Sequence, residues 1–390
     1  MAAAAAASIL SAPLTVSAEE RFPDGAGEPL GLRGGSFLFL PSIALRGGYT
    51  DNVAREAGSA RAGSVMVIAP ALTVRSDWTR HALSVDLRGS DTAYEGDFDQ
   101  LEGFFDAVAA ARLDIHSRTS LALHAGYGLT ANDGSIDHDV SVGAELTHRF
   151  NRLAVSLKAG AKRLDFAEDR GGATSTVDTN VSDHSEYGGG LRASYDLSSL
   201  TSLFAEADIN RRDHRQLIDA NGFRRGSEGY GGAVGVKMSN RSKLSGELSA
   251  GYRVQMPADP TLARIEGVTL DAGLDWQASA LTRLSLEAGT KFGETTLAGS
   301  AGYVGRSAGF EIEHLFGRKI ALNAELIHRR NNFVGVDLVE QTYEVGVGLA
   351  YLLSRHMILT ADARHLRFVS TNAGQDYAAN TVMLGVKVQR

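Results

Sequence analysis

The chain contains no cysteine. That absence removes disulfides, thiolate metal sites, cysteine nucleophiles and the lipid anchor of a lipoprotein. Long apolar runs are missing too. No stretch of eighteen apolar residues follows the leader-like start, which excludes a membrane-spanning helix there. Positive charge is not in excess: 39 Lys and Arg against 46 Asp and Glu leave a net −7, the wrong sign for a nucleic-acid partner. Phosphate loops, zinc-ligand spacings and dinucleotide fingerprints are all lacking, so neither a cofactor nor a metal is expected. Asp183-His184-Ser185 are neighbours in one loop and point different ways, so they make no catalytic triad. Asn132-Asp133-Gly134 with Asp137 and Asp139 lacks the full spacing of a calcium loop and reads as turn chemistry. No enzymatic role is expected.

What fills the chain instead is alternation. Leu121, Leu123, Ala125 and Tyr127 alternate with Ala122, His124, Gly126 and Gly128. Val268, Leu270, Ala272, Leu274 and Trp276 alternate with Thr269, Asp271, Gly273 and Asp275. A period of two is a strand with one apolar and one wet face. The pattern predicts eighteen such segments, the first from Phe37 to Tyr49. Short connections near residues 77–80, 116–118, 151, 197–201, 239–242, 279–282, 317–318 and 354–355 alternate with long ones. The long ones centre on residues 52–63, 91–100, 130–137, 164–185, 213–227, 255–264, 294–303, 330–339 and 369–378. Eight turns and nine loops join eighteen strands with both ends on the short-turn side. The expected fold is therefore an all-β, transmembrane, antiparallel up-and-down barrel with short periplasmic turns and long extracellular loops. Sixteen strands is the alternative, if weakly patterned arms such as residues 299–316 are not strands.

Residues 1–18 read as a secretory signal peptide, although no Lys or Arg precedes the apolar stretch. Residues 19–36 read as a short periplasmic tail, and residues 37–390 as one barrel domain. Gly is abundant at 44, much of it mid-strand as in Gly188-Gly189-Gly190, which suits a sheet that must curve. Aromatic residues such as Trp78 and Trp276 near the turns, and Tyr49, Tyr252 and Phe292 toward the loops, fall where interfacial girdles would lie.

The polar parity gives the expected pore lining. His124, Lys158, Glu206, Glu247, Glu287, Glu325 and Asp362 stand at similar distances from the short turns and are expected to form a belt at one depth. Arg112, Arg192, Arg253, Lys291 and Arg364 lie on the same face. So many charges cannot be buried dry. Water fills the lumen, the charges pair across strands, or both. The belt reads as a mildly cation-preferring constriction, as a hydrogen-bonding track for sugars, or as a ladder that holds the wall together.

Three local motifs, in order, carry a resemblance. They are Tyr49-Thr50-Asp51-Asn52-Val53, Pro70-Ala71-Leu72 and Ser76-Asp77-Trp78-Thr79-Arg80-His81-Ala82-Leu83. This order resembles the bacterial family called putative β-barrel porin 2, most sharply over residues 37–90. The resemblance implies an outer-membrane barrel of Gram-negative bacteria, often associated with exopolysaccharide or capsule export. It also implies a periplasmic export partner, which on the polysaccharide-exit reading would dock near the short turns and the tail. One departure is the ending, Val386-Lys387-Val388-Gln389-Arg390, where such barrels usually end on an aromatic residue. The expected function is a polysaccharide-exit porin in contact with outer-membrane lipid. The rivals are a general diffusion porin and a structural or adhesive barrel plugged by residues 164–185 or 213–227. A monomer is favoured.

Overall fold

A computed structural model describes residues 22, 27–58, 60–95, 97–132, 135–168, 183–219, 221–238, 243–295 and 297–390. The leader-like segment and the centre of the expected plug, residues 171–181, lie outside the described residues, as do Asp133, Gly134 and the turn at 239–242. Three-residue β1 (Leu32–Gly34) precedes eighteen long strands. Nine of them are β2 (Phe37–Thr50), β3 (Gly63–Ser76), β4 (Ala82–Tyr94), β5 (Asp97–His116), β6 (Thr119–Asn132), β7 (Ser135–Phe150), β8 (Leu153–Glu168), β9 (His184–Asp196) and β10 (Thr201–His214). The others are β11 (Ser227–Met238), β12 (Leu244–Pro257), β13 (Ile265–Gln277), β14 (Thr282–Gly293), β15 (Gly302–Phe316), β16 (Ile320–Val334), β17 (Val339–Ser354), β18 (Met357–Ser370) and β19 (Tyr377–Gln389).

Each long strand pairs antiparallel with its sequence neighbours, and β19 closes on β2 from Gln389↔Ser42 to Thr381↔Thr50. Closure leaves no free edge, which is what lets a sheet sit in hydrocarbon. β15 settles the strand number at eighteen in the barrel. β1 lies outside the count and continues the sheet beside the start of β2, beyond the end of β19.

Two of the expected long loops are strand instead. β4 runs to Tyr94 and β5 begins at Asp97, and Asn132 pairs with Ser135 across the β6–β7 hairpin. Polar residues there conceal strand because both faces of a hairpin are wet once it leaves the bilayer, so the alternation lapses.

Outward parity carries the exposed apolar residues, such as Leu157, Leu191, Val234, Leu270, Val345 and Leu384. Phe292 departs from the girdle expected of it. It is buried with Ile265, Val304, Ala301 and Val334 where the loop 294–301 leaves and rejoins the wall. The interior is not a conventional apolar core. Buried apolar clusters lie where a segment folds against the wall. Val53, from the loop after β2, joins Val65, Val67, Tyr94 and Met383. Phe22, from the tail, packs on Ala321, Ala350, Leu352 and Ile358. The last four share the inward parity of β16, β17 and β18, so the tail enters the short-turn end of the barrel. Gln389 fastens it by donating from Nε2 to the Gly27 carbonyl at 2.5 Å.

Candidate functional site

Contacts that skip strands identify the concave face, since only there can side chains meet along a chord. Arg192 on β9 makes a two-pronged bond to Glu247 on β12, both distances 2.8 Å. Glu206 on β10 lies 3.6 Å from the same guanidinium. The Phe204 ring supports it, 3.6 Å from the guanidinium carbon. Arg253 on β12 reaches Asp208 on β10 at 2.5 Å. On the other side of the barrel, Arg364 on β18 meets Glu325 on β16 at 2.7 Å and Glu344 on β17 at 3.5 Å. Arg329 also bonds Glu344.

The register fixes the heights of the expected belt. Lys158 faces Glu145, and Glu145 faces Ala122, so His124 stands two positions above their row. Glu206 stands two below the row of Lys158, which runs through Gly190 to Asp208. Glu247, Gly273 and Glu287 share one row. Glu325 faces Gly346 and Gly346 faces Arg364, which leaves Asp362 two positions lower. Around the circumference the belt residues keep to one row or step downward across the register rows, in the sense in which strand tilt staggers a closed sheet.

The belt does not form one contact network. Arg192, Glu206 and Glu247 cluster on one side. Arg46, Glu325, Asp362 and Arg364 border a shared crevice on the other. Glu287 has glycines for both register neighbours, Gly273 and Gly309. Arg112 bonds Asp114 on its own strand at 2.9 Å and stays exposed. Lys291 lines a cavity of about 380 Å³ in the loop-side half, with Arg55, Asp271, Arg329, Glu344 and Arg364. His124, Lys158, Glu206 and Arg253 line a second hollow of about 460 Å³ on the β6–β12 side. Inward glycines make room for the flat groups: a Cβ at Gly143 would strike the His124 ring, and one at Gly346 would strike the Glu325 carboxylate.

Sequence reasoning missed the loop residues that narrow the outer mouth. Arg225, in loop 215–226, pairs with Asp219 at 2.6 Å. It donates to the carbonyls of Thr295 at 3.1 Å, Leu297 at 3.2 Å and Ser300 at 2.5 Å, all in loop 294–301. Glu294 crosses from the end of β14 to β10, where His214 Nε2 lies 2.7 Å from its carboxylate and Arg212 Nη1 3.5 Å away. Burial opposes the charge on Glu294, but the hydrogen bond and positive charge from His214, with the further charges of His184 and Arg212, hold its pKa below the usual carboxylate value. From the opposite wall, Arg55 approaches Glu102 at 3.9 Å, and Asn52 is tied to the carbonyls of Ala378 and Glu56. No periodicity marks loop residues so far apart in sequence, so no sequence signal joins them.

A closed eighteen-strand sheet with an apolar outer band, a charged inner wall and loop-lined mouth defines an outer-membrane barrel of porin type. The family description "Putative beta-barrel porin 2" matches residues 25–390, and the chain belongs to that family. Its place is the outer membrane, in contact with lipid. No curated protein sequence matches significantly. Among solved structures, the chain is similar to the outer membrane protein OpdK of Pseudomonas aeruginosa at 14% identity, with TM-score 0.44, over 90% of this chain and 99% of that one. It is also similar to OccK9 (OpdG) of the same organism at 17% identity, with TM-score 0.44, over 90% and 98%. The P. aeruginosa siderophore receptor PirA matches at 10% identity, with TM-score 0.41, over 90% and 80%. Likeness at that level says nothing about cargo.

Proposed function

We propose that this porin is the outer-membrane exit for an exopolysaccharide, which threads a wet lumen past a belt of paired charges. The observation that supports this reading is how charges in that belt are shared. Arg192 is shared between Glu206 and Glu247, and Arg364 between Glu325 and Glu344. Arg329 joins Arg364 to balance Glu325 and Glu344, whereas Arg192 offsets only part of the charge of Glu206 and Glu247, so the wall keeps a small residual negative charge. Each carboxylate keeps acceptor sites, and each guanidinium has five donors, so sugar hydroxyls can exchange bonds along the wall. No covalent step is involved. His124, Lys158, Glu287, Asp362, Arg112, Arg253 and Lys291 complete the lining. A periplasmic export protein would deliver the polymer at the short-turn end, beside the tail that carries Phe22.

The test is a deletion strain assayed for surface polymer, complemented with the wild type and with a variant lacking Arg192 and Arg364. Loss of polymer on deletion and partial recovery with the variant support the proposal. Undiminished export without the gene sinks it. General diffusion is the second reading, supported by Glu311 and Glu325, which face each other in register as like charges on the inner wall. It predicts a steady, weakly cation-selective conductance with no partner present.

A further inference from the structure

Three residues separated by up to 110 positions meet at the loop-side mouth: His184 at the start of β9, His214 at the end of β10, and Glu294 directly after β14. His214 Nε2 lies 2.7 Å from Glu294 Oε2, and His184 Nδ1 lies 3.8 Å from the same oxygen. The two imidazoles stack with centroids 5.0 Å apart and planes 26° apart. One ligand atom from each residue falls within 4.8 Å of the others. The side chains of His184, His214 and Glu294 are only 9%, 5% and 21% exposed.

The dimensions match a small borderline cation. Zinc takes imidazole nitrogen at about 2.0–2.1 Å and carboxylate oxygen at about 2.0–2.2 Å, so tetrahedral ligand atoms stand roughly 3.3–3.5 Å apart. The observed 2.7 and 3.8 Å lie on either side of that spacing. Two imidazoles and one carboxylate select zinc, nickel or copper over magnesium and calcium, which demand oxygen donors. The carboxylate is also oriented from behind: Arg212 Nη1 approaches the other oxygen, Oε1, at 3.5 Å, while Arg212 Nε faces Glu186 at 3.4 Å. Oε2 is thereby turned toward the imidazoles, as outer contacts turn metal-binding carboxylates elsewhere.

We propose that His184, His214 and Glu294 form a binding site for a borderline divalent cation, zinc foremost, which clasps loop 294–301 to the β9–β10 edge of the mouth. The three ligands come from two sectors of the wall with three strands between them, so one ion ties the loop across the opening. Three protein ligands leave a fourth position for water.

The experiment is calorimetric titration of the refolded full-length barrel with zinc chloride and, separately, magnesium chloride. It is repeated on Glu294→Gln and on His214→Asn. The proposal expects one zinc per chain in the wild type, no binding of magnesium, and at least tenfold weaker zinc binding in either variant. Should His214→Asn fail to refold, His184→Gln takes its place. Copper substitution gives an independent reading, because coupling to two ring nitrogens in the wild-type electron paramagnetic resonance spectrum should fall to one nitrogen in the histidine variant. Zinc applied to the loop side of a planar bilayer should lower wild-type conductance and leave the Glu294→Gln conductance unchanged. Zinc binding of equal strength in wild type and variants, or copper coupled to no ring nitrogen of this pair, overturns it.

Discussion

The segments that turn inward at the two mouths of the barrel are held mainly by different chemistries. At the loop end the contact between loops 215–226 and 294–301 is ionic and buried: Arg225 and Asp219 have side chains 5% and 1% exposed, and the guanidinium also satisfies three carbonyls of loop 294–301. At the short-turn end the buried contact is mainly apolar, with Phe22 set against Ala321, Ala350, Leu352 and Ile358 beside the single Gln389–Gly27 hydrogen bond. The first kind of contact is directional and fails abruptly when one partner is removed. The second has no direction and weakens in proportion to the area lost. A porin with one of each can have its ends loosened independently.

Arg225→Ala should break the loop end most. It leaves the Asp219 carboxylate buried without its cation, a loss of about 3–5 kcal/mol for a broken buried pair. That loss falls on the loops, because the barrel wall does not depend on them. The expected outcome is a larger and noisier single-channel conductance with faster proteolysis in loop 294–301, at unchanged thermal stability of the barrel. Asp219→Asn combined with Arg225→Met should be milder than Arg225→Ala alone, since no buried charge is stranded. If the double variant is as open as the single one, the carbonyl bonds and not the ion pair hold the loop.

Phe22→Ala should act on the other end and more gently. Full burial of a Phe side chain is worth about 1.5–3 kcal/mol. Its loss should release the tail, as detected by faster hydrogen exchange near Gly27 and by cleavage of the N-terminal segment. The comparison is sharpened by salt. Raising ionic strength from 0.1 to 1 M shortens the screening length from about 10 to about 3 Å. Exposed pairs such as Arg33–Asp77 should weaken, while the Phe22 contact should hold.

Sequence alone showed much of the barrel and proposed a level for the belt, and the reason lies in distance. Alternation such as Val268 to Trp276 is written within a single strand, and the short turns supply a common datum from which depth can be counted. That is why His124, Lys158, Glu206, Glu287, Glu325 and Asp362, each the sixth residue of its strand, could be assigned to one level. Strand ends beyond the bilayer were concealed, as at Tyr94 and Ser135, because both faces there meet water. The mouth was illegible for another reason. Arg225, Glu294, His184 and His214 are brought together by loop paths that carry no period, and the inward turn of Val53 onto Val65 and Val67 interrupts a wall otherwise read as polar.

Arg192→Gln tests the wall between the two mouths. Its side chain is the shared cation of Glu206 and Glu247, so removal leaves two carboxylates free in a wet lumen. Water can solvate them, which limits the stability loss to roughly 1–2 kcal/mol, below that of the buried pair at the loop end. The larger effect should be on permeation, a reversal potential shifted toward cation selectivity under a salt gradient. An unchanged reversal potential would mean that the β9–β12 side does not set selectivity.

The smallest effect should come from acid acting on the loop crown. Asp259 accepts bonds from the Thr261 hydroxyl at 2.6 Å and from the backbone N–H groups of Arg224 at 3.0 Å and Thr261 at 3.0 Å. The Thr261 hydroxyl bond, with the two backbone bonds behind it, lowers its pKa to about 2. A carboxyl group lowered in the folded state stabilises above its unfolded value, near 3.8, and loses that contribution as pH falls through the folded value. Between pH 5 and 8 the link between loops 215–226 and 258–264 should therefore be insensitive to pH, and below about pH 4 it should begin to loosen. Amide exchange at Arg224 and Thr261 reads this directly. Asp259→Asn should bring fast exchange to neutral pH, while exchange near Gly27, at the apolar mouth, stays as it was.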